Sequence, residues 1–357
     1  MRIFTALAII AIGLAFAQSF NSAVAKPLAA ESVAVTARDW IVYPAIVQLP
    51  QPASLYALGD VHADQPKMLR VLRAAKLIDP TDANQPVKWT GEKAMLVLTG
   101  DFIDKGPSSL AVITTLRILQ EQAEKAGGRV ILCLGNHEAE FIASGGTGKK
   151  SAGFQKDLMD AKLLPADVAA GKDAQGIGQW LRNLPAGAKV GDWFFCHAGN
   201  THGMSVADLE SNLQKSLQSK DGFNAAILSD ANSMLQARMH PRPWFEASQD
   251  PSLHDATVKK DEDAKAIPAM LLANLKALEA NHLVIGHQPG EIHFKDGTTR
   301  TAGQIFAHFD GRFFMIDTGM SGGVNGGEFG GVLKIDATGA SAIQLDATIK
   351  VLWNRPK

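Results

Sequence analysis

Five times along this chain a short apolar run stops at a turn carrying a carboxylate, an imidazole or an amide, and that recurrence constrains the fold more than any other feature. Ser54–Leu58 runs into Gly59, Asp60 and His62, and Met95–Leu98 into Gly100, Asp101 and Asp104. Val130–Leu134 runs into Gly135, Asn136, His137 and Glu138, Trp193–Cys196 into His197, and Leu283–Ile285 into Gly286 and His287. Unbroken apolar runs of this length suit strands covered on both faces in a largely parallel sheet. Met68, Leu69, Leu72 and Ala75 recur at helical spacing, with Asp64 placed to cap the start and Pro80 beyond the end, which predicts a helix over 66–77. Leu110, Ile113, Leu116 and Leu119 predict a second over 107–126, with Pro107 in its first turn. Strand, helix, strand, helix, strand is a βαβ succession, and open α/β sheets place ligands at the carboxyl ends of their strands.

One Gly-Asp turn after a strand is commonly a helix cap; five polar strand ends in series need another explanation. Asp, His and Asn donors without a cysteine set suit divalent metals such as Mn, Fe or Zn, and there are enough donors for two ions. A carboxylate bridging them would hold the pair roughly 3.5–4 Å apart, the spacing used for in-line displacement at phosphorus. Asp101 is the natural bridge.

The order Asp60/His62, Asp101/Asp104, Asn136/His137, His197, His287 resembles the calcineurin-like metallophosphoesterases, and within them the phosphoprotein phosphatase type. The likeness runs from about Leu55 to the glycine-rich stretch ending at Gly323. Trp89-Thr90-Gly91 and Asp317-Thr318-Gly319-Met320-Ser321 are more similar to the bacterial and plant Shewanella-like phosphatases than to the animal serine/threonine enzymes. The resemblance implies a four-layer α/β/β/α sandwich, two mixed sheets face to face with helices outside and a helical cap inserted between the metal-bearing strands. The donor inventory and the resemblance agree on the ligands: Asp60, His62 and Asp101 for one metal, Asp101, Asn136, His197 and His287 for the other. His137 reads as the general acid, with Asp104 holding its tautomer; the alternative is a structural or ligating histidine. Glu138 reads as a helix-start carboxylate that packs the turn. Lys105 stands where the family usually has a phosphate-gripping arginine, keeping the charge without the planar fork. Arg238 or Arg242 is expected to supply the second phosphate contact, or else each is a surface arginine.

A formal charge of −1 leaves no electrostatic case for nucleic acid or an anionic membrane as the main partner. Met1-Arg2, an apolar run over Phe4–Phe16 and Ala23-Val24-Ala25 read as a cleavable leader cut after Ala25. The run is shorter than the roughly 20 residues of a spanning helix, so no stable membrane anchor is expected after cleavage, and the enzyme is expected in a periplasm or outside the cell. The chain divides into that leader at 1–25, a lead-in at 26–52 expected to form an edge strand or wrapping arm, and one domain at 53–357. Within it the polar, helical stretches 141–191 and 201–280 form the expected cap. Gly145–Lys150 lacks the spacing of a phosphate loop and reads as a surface loop. Cys133 and Cys196 read as buried small hydrophobes, a disulfide between neighbouring strands being the alternative. Apolar runs at Phe313–Ile316, Val332–Ile335 and Ala342–Leu345 are expected to complete the second sheet, and Asp317 to fix its turn by local hydrogen bonds.

The expected function is an exported dimetal phosphomonoester hydrolase acting on phosphotyrosine or phosphoserine/threonine. The runner-up is a nonspecific small-phosphate, nucleotide or phosphodiester hydrolase. From a different class, the chain could be a metal-binding interaction protein without catalysis.

Overall fold

The computed structural model describes residues 37–79, 86–239, 244–246 and 267–356. The leader, Pro80 and Arg242 lie outside these residues. The strands in chain order are β1 (Ile46–Leu49), β2 (Leu55–Leu58), β3 (Met95–Leu98), β4 (Arg129–Leu132), β5 (Gly187–Val190), β6 (Trp193–Cys196), β7 (His282–Ile285), β8 (Ile292–His293), β9 (Thr299–Arg300), β10 (Phe306–His308), β11 (Phe313–Met315), β12 (Gly331–Asp336), β13 (Gly339–Gln344) and β14 (Ile349–Asn354). They form two six-stranded sheets, ordered β14-β13-β12-β2-β3-β4 and β1-β5-β6-β7-β11-β10, and a small β8-β9 ribbon. Strands β2, β3 and β4 are mutually parallel, as are β6, β7 and β11.

Period-two alternation explains why the strand sequences are apolar throughout. Leu55, Ala57, Val97, Ile131 and Cys133 of the β3 sheet meet Ala188, Val190, Trp193, Phe195, Val284 and Phe314 of the β7 sheet in the seam between them. The intervening Tyr56, Leu58, Leu96, Leu98, Val130 and Leu132 face the other way, under helices α1 (Gln65–Ala74) and α2 (Ser109–Lys125), which bring down Met68, Val71 and Leu72, and Val112, Ile113, Leu116 and Leu119. On the far side Phe194, Leu283 and Phe313 lie in the same apolar cluster as Leu209 and Leu213 of the helix Val206–Gln218. Each central strand, β2, β3, β4, β6, β7 and β11, therefore has a buried residue on both faces, and the layers run helix, sheet, sheet, helix.

Asp64 caps α1, its side chain accepting from the Lys67 amide. The second helix differs from expectation: it begins at Ser109 behind an N-cap at Ser108, whose hydroxyl accepts from the Ala111 amide, so Pro107 precedes the helix. A free hydroxyl can satisfy an orphan helix donor and proline cannot, which is why the cap falls one residue later. The late strands also divide differently. β11 joins the β7 sheet, but β12 and β13 extend the β3 sheet through an antiparallel β12–β2 pairing. Apolar runs carry facing but not sheet membership, and a hairpin can close onto either edge. The lead-in supplies β1, parallel to β5 at a sheet edge. The stretch 141–191 is helical up to Arg182 and then gives β5, while Gly145–Lys150 follows helix α3 (Asn136–Ala143) directly, with no strand before it.

Candidate metal centre

β2, β3 and β4 run parallel, as do β6 and β7, and bonds from His137 N to Asp101 Oδ1, between His197 Nε2 and Asn136 Oδ1, and from His287 N to Asp60 Oδ1 bring the carboxyl ends of all five strands together. Their junction is crowded at backbone level. Gly100 sits at φ +104°, and a Cβ on Gly135 would run into the Asp101 amide nitrogen, so the β3 and β4 loops pack main chain against main chain. His62, Asp101, Asp104, Lys105 and His287 take positive φ between 44° and 71°. For a residue with a Cβ that conformation costs about 1–2 kcal/mol, a strain that persists only where surroundings over-determine it.

Glu138 is much of that surrounding. Wholly buried at the start of α3, it accepts from the Asp101 and Gly135 amides through Oε2 (both 2.9 Å) and from the Phe102 and Ile103 amides through Oε1 (3.0 and 3.1 Å). Burial and the Asp101 charge push its carboxyl up to about 7. It packs the turn, as the sequence suggests, and also clamps the whole Asp101 loop to the Asn136 helix.

Two groups of donors meet at Asp101: His62, Asp101 and His137 on one side, Asp101, His197 and His287 on the other, all buried. In the second group His197 Nε2 is 3.4 Å from Asp101 Oδ2, 3.0 Å from Asn136 Oδ1 and 3.0 Å from His287 Nδ1. Metal–ligand bonds of about 2.0–2.2 Å set adjacent donors roughly 3–3.5 Å apart, so these separations fit one ion. Buried His287 Nε2 has no hydrogen-bond partner, and His197 Nδ1 is held by the Thr99 carbonyl at 2.9 Å, which turns Nε2 toward the group. In the first group His62 Nε2 lies 3.9 Å from Asp60 Oδ2 and 3.7 Å from Asp101 Oδ2, its Nδ1 held by the Ile103 carbonyl. Asp60 also accepts from the His287 amide, tying the two sides together.

The electrostatics match the protonation states that metal ligation needs. Burial depresses His62 to about 3 and, with the His197 and Arg238 charges, holds His287 well below the usual imidazole range, so both rings are neutral. Burial would raise Asp101, but His197 and His137 hold it well below the carboxylate range. Burial, then Asp317 and Asp101, push Asp60 well above that range, a like-charge penalty that a bound cation would offset. His137 goes the opposite way from His62. Burial opposes its charge, yet Asp101 and the Asp104 hydrogen bond (Nδ1 to Oδ2, 3.2 Å) raise it overall. Asp104 is fixed in turn, its Oδ1 accepting from the Phe154 amide at 2.8 Å.

Of the expected phosphate contacts, Lys105 is exposed, with its Nζ 3.3 Å from His62 Nε2. Arg238 is exposed, close enough for its charge to act on His287. Cys133 and Cys196 are free, the first in the seam between the sheets and the second under the helices, with burial pushing the Cys196 thiol up to about 12. Asp317 does more than fix its turn. Besides accepting from the Gly319 amide it is buried beside Asp60, and its main-chain oxygen accepts from Arg300. Arg300, wholly buried, escaped the sequence reading because nothing in a Thr-Thr-Arg ribbon strand distinguishes it from a surface arginine.

The family model for calcineurin-like phosphoesterase matches residues 53–291. Shewanella-like protein phosphatase 1 of Plasmodium berghei is 27% identical over 306 residues, 82% of this chain and 74% of that protein. An uncharacterised protein of Schizosaccharomyces pombe is 27% identical over 280 residues, 76% of this chain and 75% of its own. Among solved structures, the cold-active protein-tyrosine phosphatase of a psychrophilic Shewanella species shares the fold, with a TM-score of 0.60 at 19% identity over 92% of this chain and 88% of that one.

Proposed function

The chain belongs to the calcineurin-like phosphoesterases, metal-dependent phosphoester hydrolases, and from that premise we propose that it removes phosphate from phosphorylated protein side chains at a two-metal centre. One observation carries the reading: two metal-capable donor groups share the Asp101 carboxylate, and His137, which is in one of them, is also paired through Nδ1 with Asp104. Asp60, His62 and Asp101 would hold one ion, and Asp101, Asn136, His197 and His287 the other. Bound there, divalent ions supply Lewis-acid polarisation of phosphate and an acidified water for in-line attack.

The chain's own residues account for the rest. The His62 and His137 rings are 5.0 Å apart, yet their environments push their protonation in opposite directions, which separates a ligand from an acid. His137, kept charged by Asp101 and Asp104, gives its Nε2 proton to the leaving oxygen while its Nδ1 keeps its own proton, donated to Asp104. Lys105 contributes a compact positive charge to the phosphate beside His62, and Arg238 a second near His287. The protein-phosphatase relatives support a phosphoprotein substrate. The leader supports an exported enzyme, and fractionation of cells with mass measurement of the released amino terminus tests that part.

For the activity, the chain is loaded with Mn2+ and phosphate release is followed from a phosphotyrosine peptide, a phosphoserine peptide and p-nitrophenyl phosphate, alongside His137→Ala. Peptide turnover that collapses in the variant with metal retained is the expected result. Turnover confined to nucleotides or phosphodiesters would replace the substrate class, and none at all with two metals bound would refute catalysis.

A further inference from the structure

Glu140 has no place in the ligand set or the acid pair, yet one of its oxygens joins three parts of the site. On α3 it lies one turn beyond Asn136, and its Oε1 accepts from Asn136 Nδ2 at 3.4 Å, Lys150 Nζ at 2.8 Å and Gln236 Nε2 at 2.8 Å. The side chain is half-buried, whereas Lys150 is 65% exposed, so the carboxylate sits where the interior of the centre meets its rim.

An amide ligand differs from a carboxylate in having only one end that can meet a metal. Asn136 must present Oδ1 to the donors around His197 and turn its NH2 away. An ionised carboxylate can only accept, so it can face only the NH2 end. Asn136 Oδ1 is indeed the atom 3.0 Å from His197 Nε2. The same oxygen anchors Lys150 from the glycine-rich loop and Gln236, two residues before Arg238. The far end of that short segment is held by the Met239 amide donating to Gln288, next to His287.

We propose that Glu140 is a positioning residue of this centre: it sets the Asn136 amide with its oxygen toward the metal donors and holds Lys150 and the Gln236–Arg238 segment at the rim. The inference rests on the two-metal reading above and says which residue outside the ligand set makes an amide serve as a ligand.

The test is calorimetric titration of the metal-stripped chain with Mn2+. Residues that orient a ligand typically contribute 10–100-fold in metal affinity, so Glu140→Ala is expected to weaken one of the two Mn2+ sites by about that factor. Unfolding of the metal-free protein in urea should be little changed, since a half-buried carboxylate on a helix surface supports little of the core. In an Asn136→Asp background both side-chain oxygens are equivalent, orientation no longer matters, and Glu140→Ala should cost no Mn2+ affinity. Glu140→Gln, which keeps the volume but can turn either end to Asn136, should show a smaller loss than the alanine variant. Unchanged affinity in Glu140→Ala, or an equal loss in both Asn136 backgrounds, would overturn the proposal. A wild-type chain that binds two Mn2+ but releases no phosphate refutes the proposed function, while the affinities still decide Glu140.

Discussion

Replacing Asp104 with asparagine separates the acid role of His137 from metal binding, because the structure fixes how the new amide must lie. Asp104 uses one oxygen for the Phe154 amide at 2.8 Å and the other for His137 Nδ1 at 3.2 Å. Asparagine tolerates the positive φ at this position (63°), so the loop should survive the change. Its oxygen is claimed by the buried Phe154 N–H, which donates to Asp104 Oδ1 at 2.8 Å, and its NH2 group then faces Nδ1. An imidazolium carries a proton on Nδ1, so NH2 against N–H disfavours the charged ring. The lost interaction is a hydrogen bond to a charged group, about 1.5–3 kcal/mol, or about 10–100-fold in the protonated fraction on the alkaline side. The sign follows from the direction of the shift: His137 is raised above 6.5, an acid must be protonated to act, and kcat should fall as pH rises through its raised value. In Asp104→Asn that fall should begin at lower pH, and kcat near pH 8 should drop about 10–100-fold for a leaving group of high pKa such as serine. Release of p-nitrophenolate, which needs less protonation, should suffer far less. The assay is kcat against pH for both substrates with metal content measured on the same samples. An unmoved alkaline limb, or equal losses for both leaving groups with both metals present, would refute the reasoning.

Three further outcomes follow from the same geometry. Gly135→Ala forces a Cβ onto the Asp101 main chain, which cannot swing aside like a side chain, and should cost about 2 kcal/mol or more of stability in denaturant together with metal occupancy. Chelation should lower the thermal midpoint, and free Mn2+ at about 100 times its dissociation constant should restore about 2.7 kcal/mol, read by calorimetry with and without the ion. Cys133 and Cys196, both buried and free, should resist a thiol reagent until denaturant is added; a rapid reaction in the native state would contradict their burial.

What could be read from the sequence follows from how locally each feature is encoded. The strand ends are legible because a fully buried strand must be apolar on both faces, so a single polar residue at its carboxyl end stands out, as Asp101 does after Met95–Leu98. Asp64 is legible as a cap because capping is settled within a few residues. The pairing of β12 with β2 is not, because Leu333 and Ala57 are far apart in sequence and the pattern within β12 says which face is buried but not which sheet it joins. The reach of Glu138 is half legible. Its place at a helix start is local, but the Phe102 and Ile103 amides it accepts from belong to another strand's loop.

Arg300 shows the opposite limit, and it bears on which cation meets the substrate. Asp60, Asp101 and Asp317 are buried together, and a pocket with three carboxylates needs positive charge from somewhere. Arg300 brings one such charge, and Asp317 and Asp60 act on it. Its fork, however, is committed: Nε donates to the Gln304 carbonyl, Nη1 to those of Gln288 and Gly290, and Nη2 to that of Asp317. It therefore locks the loop after His287 to the turn after β11, with four of its five N–H donors spent on main-chain oxygens. On the proposed reading, phosphate recognition falls to groups that can move. Lys105 can withdraw from His62 once that ring ligates, and Arg238 is exposed at the rim. A site that spends its rigid arginine on holding ligand loops and leaves a lysine for the phosphate should tolerate leaving groups of varied shape, because an ammonium charge imposes no planar geometry on the oxygens it meets.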